Sequence, residues 1–254
     1  MAVAARPPLF DAHLHIIDPR YPLVPNDGYL PPAFTTEDYR ASTATLGVIG
    51  GAVVSGSFQR FDQSYLLAAL ADLGAGFVGV TQLPITTPDE QIRALAAAGV
   101  RAVRFNVRRG GSESLDQLDR LARRVHDLAG WHTELYIDAA DLPDLTGTLS
   151  VLPRICIDHL GLSREGLPHL LRLVEQGAFV KATGFSRGDL DVPAALRDIA
   201  QANPAALLAG TDLPSTRAPR RFTDSDLDLI VDTLDDLDLT AAAFSDNAIA
   251  LYRP

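Results

Sequence analysis

Cysteine is almost absent from this chain of 254 residues, and the single one, Cys156, leaves no internal disulfide and fits a reducing compartment. Basic residues are also few beside acidic ones, 22 against 32, for a formal net charge of −10. That balance argues against general affinity for nucleic acid or for an anionic membrane, without excluding a basic pocket. No apolar run reaches membrane-spanning length, and the start, Met1 to Pro8, lacks the apolar stretch of a signal peptide, so the expected compartment is the cytoplasm. Neither a low-complexity linker nor a shift in composition divides the sequence, so one domain over residues 1–254 is expected. A Gly-x-Gly-x-x-Gly turn follows none of the strand candidates, which weighs against an open doubly wound sheet.

What the chain does have is alternation. Short, β-rich apolar runs at Leu9–Ile16, Ile49–Ser55, Phe77–Leu83, Arg101–Val107, Thr133–Asp138, Arg154–His159, Ala178–Thr183 and Ala206–Thr211 are separated by longer stretches of helical character. Helix starts fall between them. Thr87-Pro88-Asp89-Glu90 reads as N-cap, N1 proline and capping-box glutamate, and Ser114-Leu115-Asp116-Gln117 repeats the pattern with glutamine. Thr223 opens a helical segment over Asp224 to Asp236 whose early acids suit an N-terminus. Gly74, Gly99, Gly130 and Gly177 stand where helices should stop. Eight such units of about thirty residues predict a parallel sheet closed into an α/β (β/α)8 barrel. The segment Asp18 to Thr36, rich in Pro, Asp and Gly, is expected as a long loop after the first strand, on the face where barrels build active sites.

Polar residues collect at the C-terminal ends of these strands. In Asp11-Ala12-His13-Leu14-His15, residues two apart share a strand face at a spacing of roughly 6.6 Å, so His13 and His15 point the same way. Two imidazoles so placed suit ligation of one metal or polarisation of one carbonyl; alone they would equally suit buried, hydrogen-bonded structural histidines. On the fourth strand Val103, Phe105 and Val107 form an apolar face opposite Arg104, Asn106 and Arg108. An inward Arg104 requires an anion, either a protein carboxylate or one on a ligand, because an unpaired buried guanidinium is very costly. Tyr136 on the fifth strand, His159 ending the sixth and Asp212 just past the eighth complete a set of six polar groups near one end of a barrel that packing alone would fill with aliphatics.

These segments resemble the amidohydrolase superfamily: His13-Leu14-His15, His159 after Ile157-Asp158, and Gly210-Thr211-Asp212-Leu213-Pro214 look like its strand-one, strand-six and strand-eight signatures. Asp11 to Pro19, Gly99 to Asn106, Asp246-Asn247-Ala248 and Leu251-Tyr252-Arg253 are similar to the branch of 2-pyrone-4,6-dicarboxylate lactonases and sugar-lactone hydrolases, so the resemblance runs over nearly the whole chain. It implies a hydrolase that opens a small carboxylated or sugar-derived lactone. One departure bears on cofactors. Metal-dependent members usually carry a further histidine at the end of strand five, where this chain has Glu134-Leu135-Tyr136. A phenol must lose a proton of pKa about 10 to ligate well, and the dicarboxylate lactonases resembled here are metal-independent and also lack that histidine, so the resemblance implies a site without a metal. With zinc or manganese bound instead, His13, His15, His159 and Asp212 would be the ligands.

The mechanism so implied has Asp212 as general base toward water, and His13, His15 and His159 donating hydrogen bonds to the ester carbonyl oxygen. Arg104, Arg108, Arg109 and Arg187 would hold a substrate carboxylate. Tyr136, and by the resemblance Ser55, Ser57 and Tyr29, would supply further polar contacts. The expected partner is a small lactone or carboxylic acid. A metal-dependent hydrolase or decarboxylase of the same superfamily, and a barrel that only binds a small acid, remain the alternatives. His126 and His169 read as helix-surface residues, and His132 lies at the strand start, away from catalysis. Cys156 reads as core. Asp158 is expected to face away from His159 as a structural partner, and Lys181 to serve a buried ion pair at least as readily as catalysis.

Overall fold

The computed structural model describes residues 6–253. Eight parallel strands pair in chain order: β1 (Leu9–Leu14), β2 (Val48–Val54), β3 (Phe77–Thr81), β4 (Val100–Phe105), β5 (His132–Leu135), β6 (Ile155–Ile157), β7 (Phe179–Ala182) and β8 (Leu207–Ala209). Asp212 N donates to His13 O and His15 N to Leu213 O, both at 2.8 Å, which joins the chain after β8 to β1 and closes a (β/α)8 barrel. Each strand overlaps one of the eight runs expected from the sequence.

The principal helices are α1 (Thr36–Thr43), α2 (Ser64–Leu73), α3 (Asp89–Ala97), α4 (Leu118–Ala129), α5 (Thr146–Leu149), α6 (Leu167–Glu175), α7 (Val192–Ala202), α8 (Asp224–Leu234) and α9 (Asn247–Tyr252). Their boundaries correct two of the expected caps. Pro88 itself occupies the N-cap of α3, and the Thr87 hydroxyl donates to Pro84 O instead of capping. Ser114 precedes a single 3-10 turn, Leu115–Gln117, and makes no side-chain cap there. Thr223 does cap α8, its N–H donating to Asp226 Oδ2 at 3.1 Å, but the helix ends at Leu234 and not at Asp236. Gly74, Gly99, Gly130 and Gly177 all take positive φ at helix ends, as expected. Among the described residues no helix is long and apolar enough to cross a membrane.

Two apolar layers result. The outer one lies between strands and helices and contains most of the large side chains, among them Leu66, Phe105 and Trp131. Each fully buried aliphatic or aromatic side chain there contributes roughly 1.5–3 kcal/mol. The inner one fills the lower barrel with small groups from the strands, such as Ala12, Ala52, Val54, Ala102, Cys156 and Leu208. Tyr252 of α9 plugs the bottom, stacked on Phe10 with ring centroids 5.6 Å apart.

The strand parity changes where the site begins. Along β1, Phe10 and Ala12 point into the barrel, and simple alternation would send Leu14 after them. Instead Asp11 pairs with Gly51 and Leu14 with Val53, so three steps on β1 match two on β2. This extra residue is a bulge, and it turns Leu14 out to the helix layer while His13 and His15 face the barrel axis. Asp11 holds the bulge: its carboxylate accepts from Thr211 N (2.8 Å), Thr211 Oγ1 (2.7 Å) and Tyr39 Oη (3.0 Å). Burial nevertheless outweighs these donors and pushes its pKa up to about 6. Gly210 on the neighbouring chain has no room for a side chain, since a Cβ would lie 2.9 Å from both Asp11 Oδ1 and His13 N.

Candidate active site

A small cavity opens at the C-terminal ends of the strands. His15, Arg104, Tyr136, His159 and Arg187 reach its wall, as do Tyr29 of the first loop, Ser57 and Arg109. His13 and Asp212, at most 1% exposed, do not reach that wall; they lie behind it, against His15 and Arg187. The sequence therefore selected most of the side chains that meet here. Two of its candidates stand elsewhere. Ser55 turns its hydroxyl to Tyr65 Oη (2.8 Å) on α2, and only its backbone carbonyl faces inward, because the strand is still alternating at that residue. Arg108 is exposed and outside the cavity, since the chain leaves β4 at Phe105 and turns before its side chain can point in.

Each imidazole is aimed by what its other nitrogen contacts. His15 Nδ1 is 2.7 Å from the Val54 carbonyl, which only accepts, so Nδ1 carries the proton. His159 Nδ1 hydrogen-bonds Thr183 Oγ1 at 2.8 Å, with Gly184 so close that a Cβ there would meet His159 Nδ1 at 2.7 Å. Burial drives all three ring pKa values down: His13 moderately, and His15 and His159 well below the ordinary range, with His13 and Arg187 respectively adding to the effect. These shifts favour the neutral rings. A neutral His15 protonated on Nδ1 presents a bare Nε2 to the cavity, which is an acceptor and not the oxyanion donor expected for it. The His13 and His15 Nε2 atoms are 3.3 Å apart.

His159 and Asp158 both face the interior. Cys156 and Asp158 follow the inward alternation of β6, and His159 then takes φ 53°, a left-handed conformation that returns its ring to the same side. The expectation that Asp158 faces away fails for that reason, while its role as a structural partner stands: Asp158 Oδ2 accepts from Arg104 Nε (3.0 Å) and Nη2 (2.7 Å). Arg104 Nη1 also donates to Ser55 O at 2.9 Å, so the anion that an inward Arg104 requires comes from the protein. Asp212 also has positive φ, 58°, and its Oδ2 accepts from Arg187 Nε at 2.7 Å. Its Oδ1 is buried without a hydrogen-bond partner among the described residues, 3.9 Å from His13 Nε2 and 4.0 Å from His15 Nε2.

Below this layer Lys181 pairs with Glu134, and Glu134 Oε1 also accepts from Tyr252 Oη (2.6 Å) and contacts His132 Nε2 (3.1 Å). Burial is the largest single influence and would raise both carboxylates, but Lys181 and His132 together outweigh it and hold Glu134 below its ordinary range, and Lys181, Arg104 and His13 together hold Asp158 well below. Three buried carboxylates thus face three buried cations: Glu134 with Lys181, Asp158 with Arg104, Asp212 with Arg187.

His13, His159 and Asp212 offer ligand atoms within 4.8 Å of one another, and His15 Nε2 is adjacent. Three imidazoles and a carboxylate with an unpartnered Oδ1 are a donor set that fits a divalent cation. The charge balance is less favourable, because all three carboxylates are already neutralised.

Sequence reasoning passed over Arg217, Phe58 and Asn106 as site residues. Arg217 lies over the Tyr29 ring, 4.5 Å from its centroid, and bonds Asn26 through its Oδ1 (2.8 Å) and carbonyl oxygen. Asn26 Nδ2 in turn donates to Arg109 O (3.0 Å), so the loops after β1, β4 and β8 are tied over the cavity. The position of Arg217, three residues after Pro214, was the available signal. The Arg109 guanidinium has no protein acceptor among the described residues.

The family model described as Amidohydrolase matches residues 10–253. Among curated proteins, a 2-pyrone-4,6-dicarboxylate hydrolase of Comamonas testosteroni is 27% identical, over 96% of this chain and 90% of that one. A D-galactarolactone isomerase of Agrobacterium fabrum is 28% identical, over 80% and 75%. A crystal structure of an Agrobacterium tumefaciens protein without ligand superposes with a TM-score of 0.88 at 28% identity, covering 99% of this chain and 98% of that one. With the barrel, the strand-end histidines and a match over nearly its full length, the chain belongs to the amidohydrolase family.

Proposed function

We propose that this barrel is a lactonase that opens a small anionic lactone with water, Asp212 acting as general base. The observation that carries this reading is the unpartnered, buried Asp212 Oδ1 directed at the imidazole cluster while Arg187 holds Oδ2. Relatives acting on a pyrone dicarboxylate and a galactarolactone support the same substrate class.

A lactone in the cavity places its carbonyl oxygen over His13 and His159. Water between Asp212 Oδ1 and His15 Nε2, two acceptors 4.0 Å apart, is oriented by donating to both. Asp212 takes one proton as the water oxygen bonds to the carbonyl carbon. The tetrahedral intermediate then expels the ring oxygen, and the proton held by Asp212 passes to it. The product is a hydroxy acid.

The proposed working form contains no metal, a reading supported by Tyr136 at the strand-five position and by the balanced ion pairs. A divalent ion would be held by His13, His15, His159 and Asp212, and would polarise the carbonyl or acidify water.

The test is a panel of sugar lactones, muconolactones and pyrone dicarboxylates, assayed after dialysis against chelator and with added zinc or manganese. Ring opening that survives chelation without stimulation by metal is expected. Activity that appears only with metal would replace the metal-free form, and no turnover of any lactone would remove the hydrolase reading. The isomerase relative favours one second reading, in which a substrate hydroxyl attacks instead of water. Reaction in 18O-water separates the two, since only hydrolysis places solvent oxygen in the product carboxylate.

Arg109, with a guanidinium that has no acceptor among the described residues, is proposed as an anchor for the substrate's negative charge. Losing a charge-assisted hydrogen bond made equally in ground and transition states should raise KM about tenfold or more in Arg109→Met and leave kcat near that of the parent. An unchanged KM would assign the anchor elsewhere.

A further inference from the structure

We infer that Lys181 is a positioning residue that fixes which nitrogen of His13 carries the proton. Two groups lie 3.3 Å from His13 Nδ1: the Lys181 ammonium, which only donates, and Asp158 Oδ1, which only accepts. They demand opposite tautomers. The Lys181 contact meets the angular requirement of a hydrogen bond and the Asp158 contact does not, leaving Asp158 Oδ1 without an angled donor among the described residues, although its charge acts on the ring from the same distance.

The other side of the ring gives the same answer independently. His15 donates from Nδ1 to Val54 O, so its Nε2 is bare. His13 Nε2 is 3.3 Å from that lone pair. Two bare nitrogens at this distance would repel, whereas one proton between them makes a hydrogen bond, and His13 alone can supply it. The geometry therefore defines one directed chain, from Lys181 Nζ to His13 Nδ1, from His13 Nε2–H to His15 Nε2, and from His15 Nδ1–H to Val54 O. No group changes charge in this arrangement; the proton has one place on a neutral ring.

Two consequences follow, the first resting on the lactonase reading and the second independent of it. His13 becomes the donor and His15 the acceptor of the pair. A substrate carbonyl oxygen that accepts the hydrogen bond from His13 Nε2–H releases His15 Nε2 to accept from the attacking water. In addition, a His13 protonated on Nε2 is withheld from metal ligation, so Lys181 discourages a cation by occupying Nδ1 as well as by its charge.

The test needs no substrate and begins with the unmodified protein. Two-bond 1H–15N spectra of 15N-histidine-labelled protein separate protonated from bare ring nitrogens, with His13 signals assigned by comparison with His13→Gln. His13 protonated on Nε2 and His15 on Nδ1 is the expected result, and His13 protonated on Nδ1 overturns the assignment. Two variants then separate hydrogen bonding from charge. Lys181→Gln and Lys181→Met both remove the ammonium, but only glutamine keeps a donor. The methionine variant should move the His13 proton to Nδ1, toward Asp158, and bind zinc on the order of tenfold more tightly than the glutamine variant. Equal zinc affinity and the same tautomer in both variants would assign Lys181 to charge balance alone. Failure of the lactone panel would leave these spectra readable, so the two readings fall separately.

Discussion

Asp212→Asn is expected to lower kcat on a confirmed lactone by about three orders of magnitude while substrate still binds, within the range for loss of a positioned general base. Asparagine matches the carboxylate in size and can still contact Arg187 through its carbonyl oxygen. What it cannot do is take a proton at the position of Oδ1, which nothing else in the described structure occupies. Binding measured by titration with the hydroxy-acid product, beside kcat from steady-state turnover, separates the two effects. Retention of a tenth or more of the parental kcat would remove Asp212 from the role of base. A parallel loss of product binding would indicate that the variant has disturbed the Arg187 pair and not the chemistry.

Glu134→Gln is expected to destabilise the fold by about 3 kcal/mol at pH 7, the scale for breaking one partner of a buried ion pair. Glu134 is fully buried and accepts from both Lys181 and Tyr252, so the neutral amide leaves the ammonium with Asp158, whose Oδ1 is 3.3 Å away, as its one remaining carboxylate among the described residues. The pH dependence gives the sign. Burial raises the Glu134 pKa, but Lys181 and His132 together outweigh it and depress the pKa in the folded chain, so the contribution of Glu134 is complete above the unfolded carboxylate value near 4.3 and is lost as pH falls below it. Denaturant titrations of both proteins between pH 7 and pH 3 should therefore show a gap that is constant in the neutral range and narrows in acid. A gap independent of pH would mean that lost hydrogen-bond geometry, and not charge, accounts for the destabilisation. No measurable gap would contradict the buried pair itself.

The strands were legible because apolar runs of the right length recur at a spacing that only a parallel barrel uses. The helix-stopping glycines were legible because positive φ is costly for other residues. His13, His15, His159 and Asp212 stood out because polar groups at strand ends have few structural reasons to be there. Less visible were the conformations that aim them. The β1 bulge changes which residues face inward after Ala12, and neither it nor the left-handed φ of His159 and Asp212 has a local sequence signature. Alternation carried past such a break puts Asp158 on the opposite side from His159, and it does not show that Arg108 misses the cavity, whereas Ser55 still obeys it and turns outward.

The amino-acid order by itself determined the barrel, the face on which chemistry gathers, and the types of side chain gathered there, because each of these follows from local periodicity. The tertiary structure decided the pairings: Arg104 with Asp158 across 54 residues, Arg187 with Asp212 across 25, and Lys181 with His13 across 168. A charged or polar group on one strand is indifferent to its partner until closure removes water from both. Only then does the cost of an unmatched buried charge select one arrangement, and with it the nitrogen that bears a proton and the oxygen left free to take one.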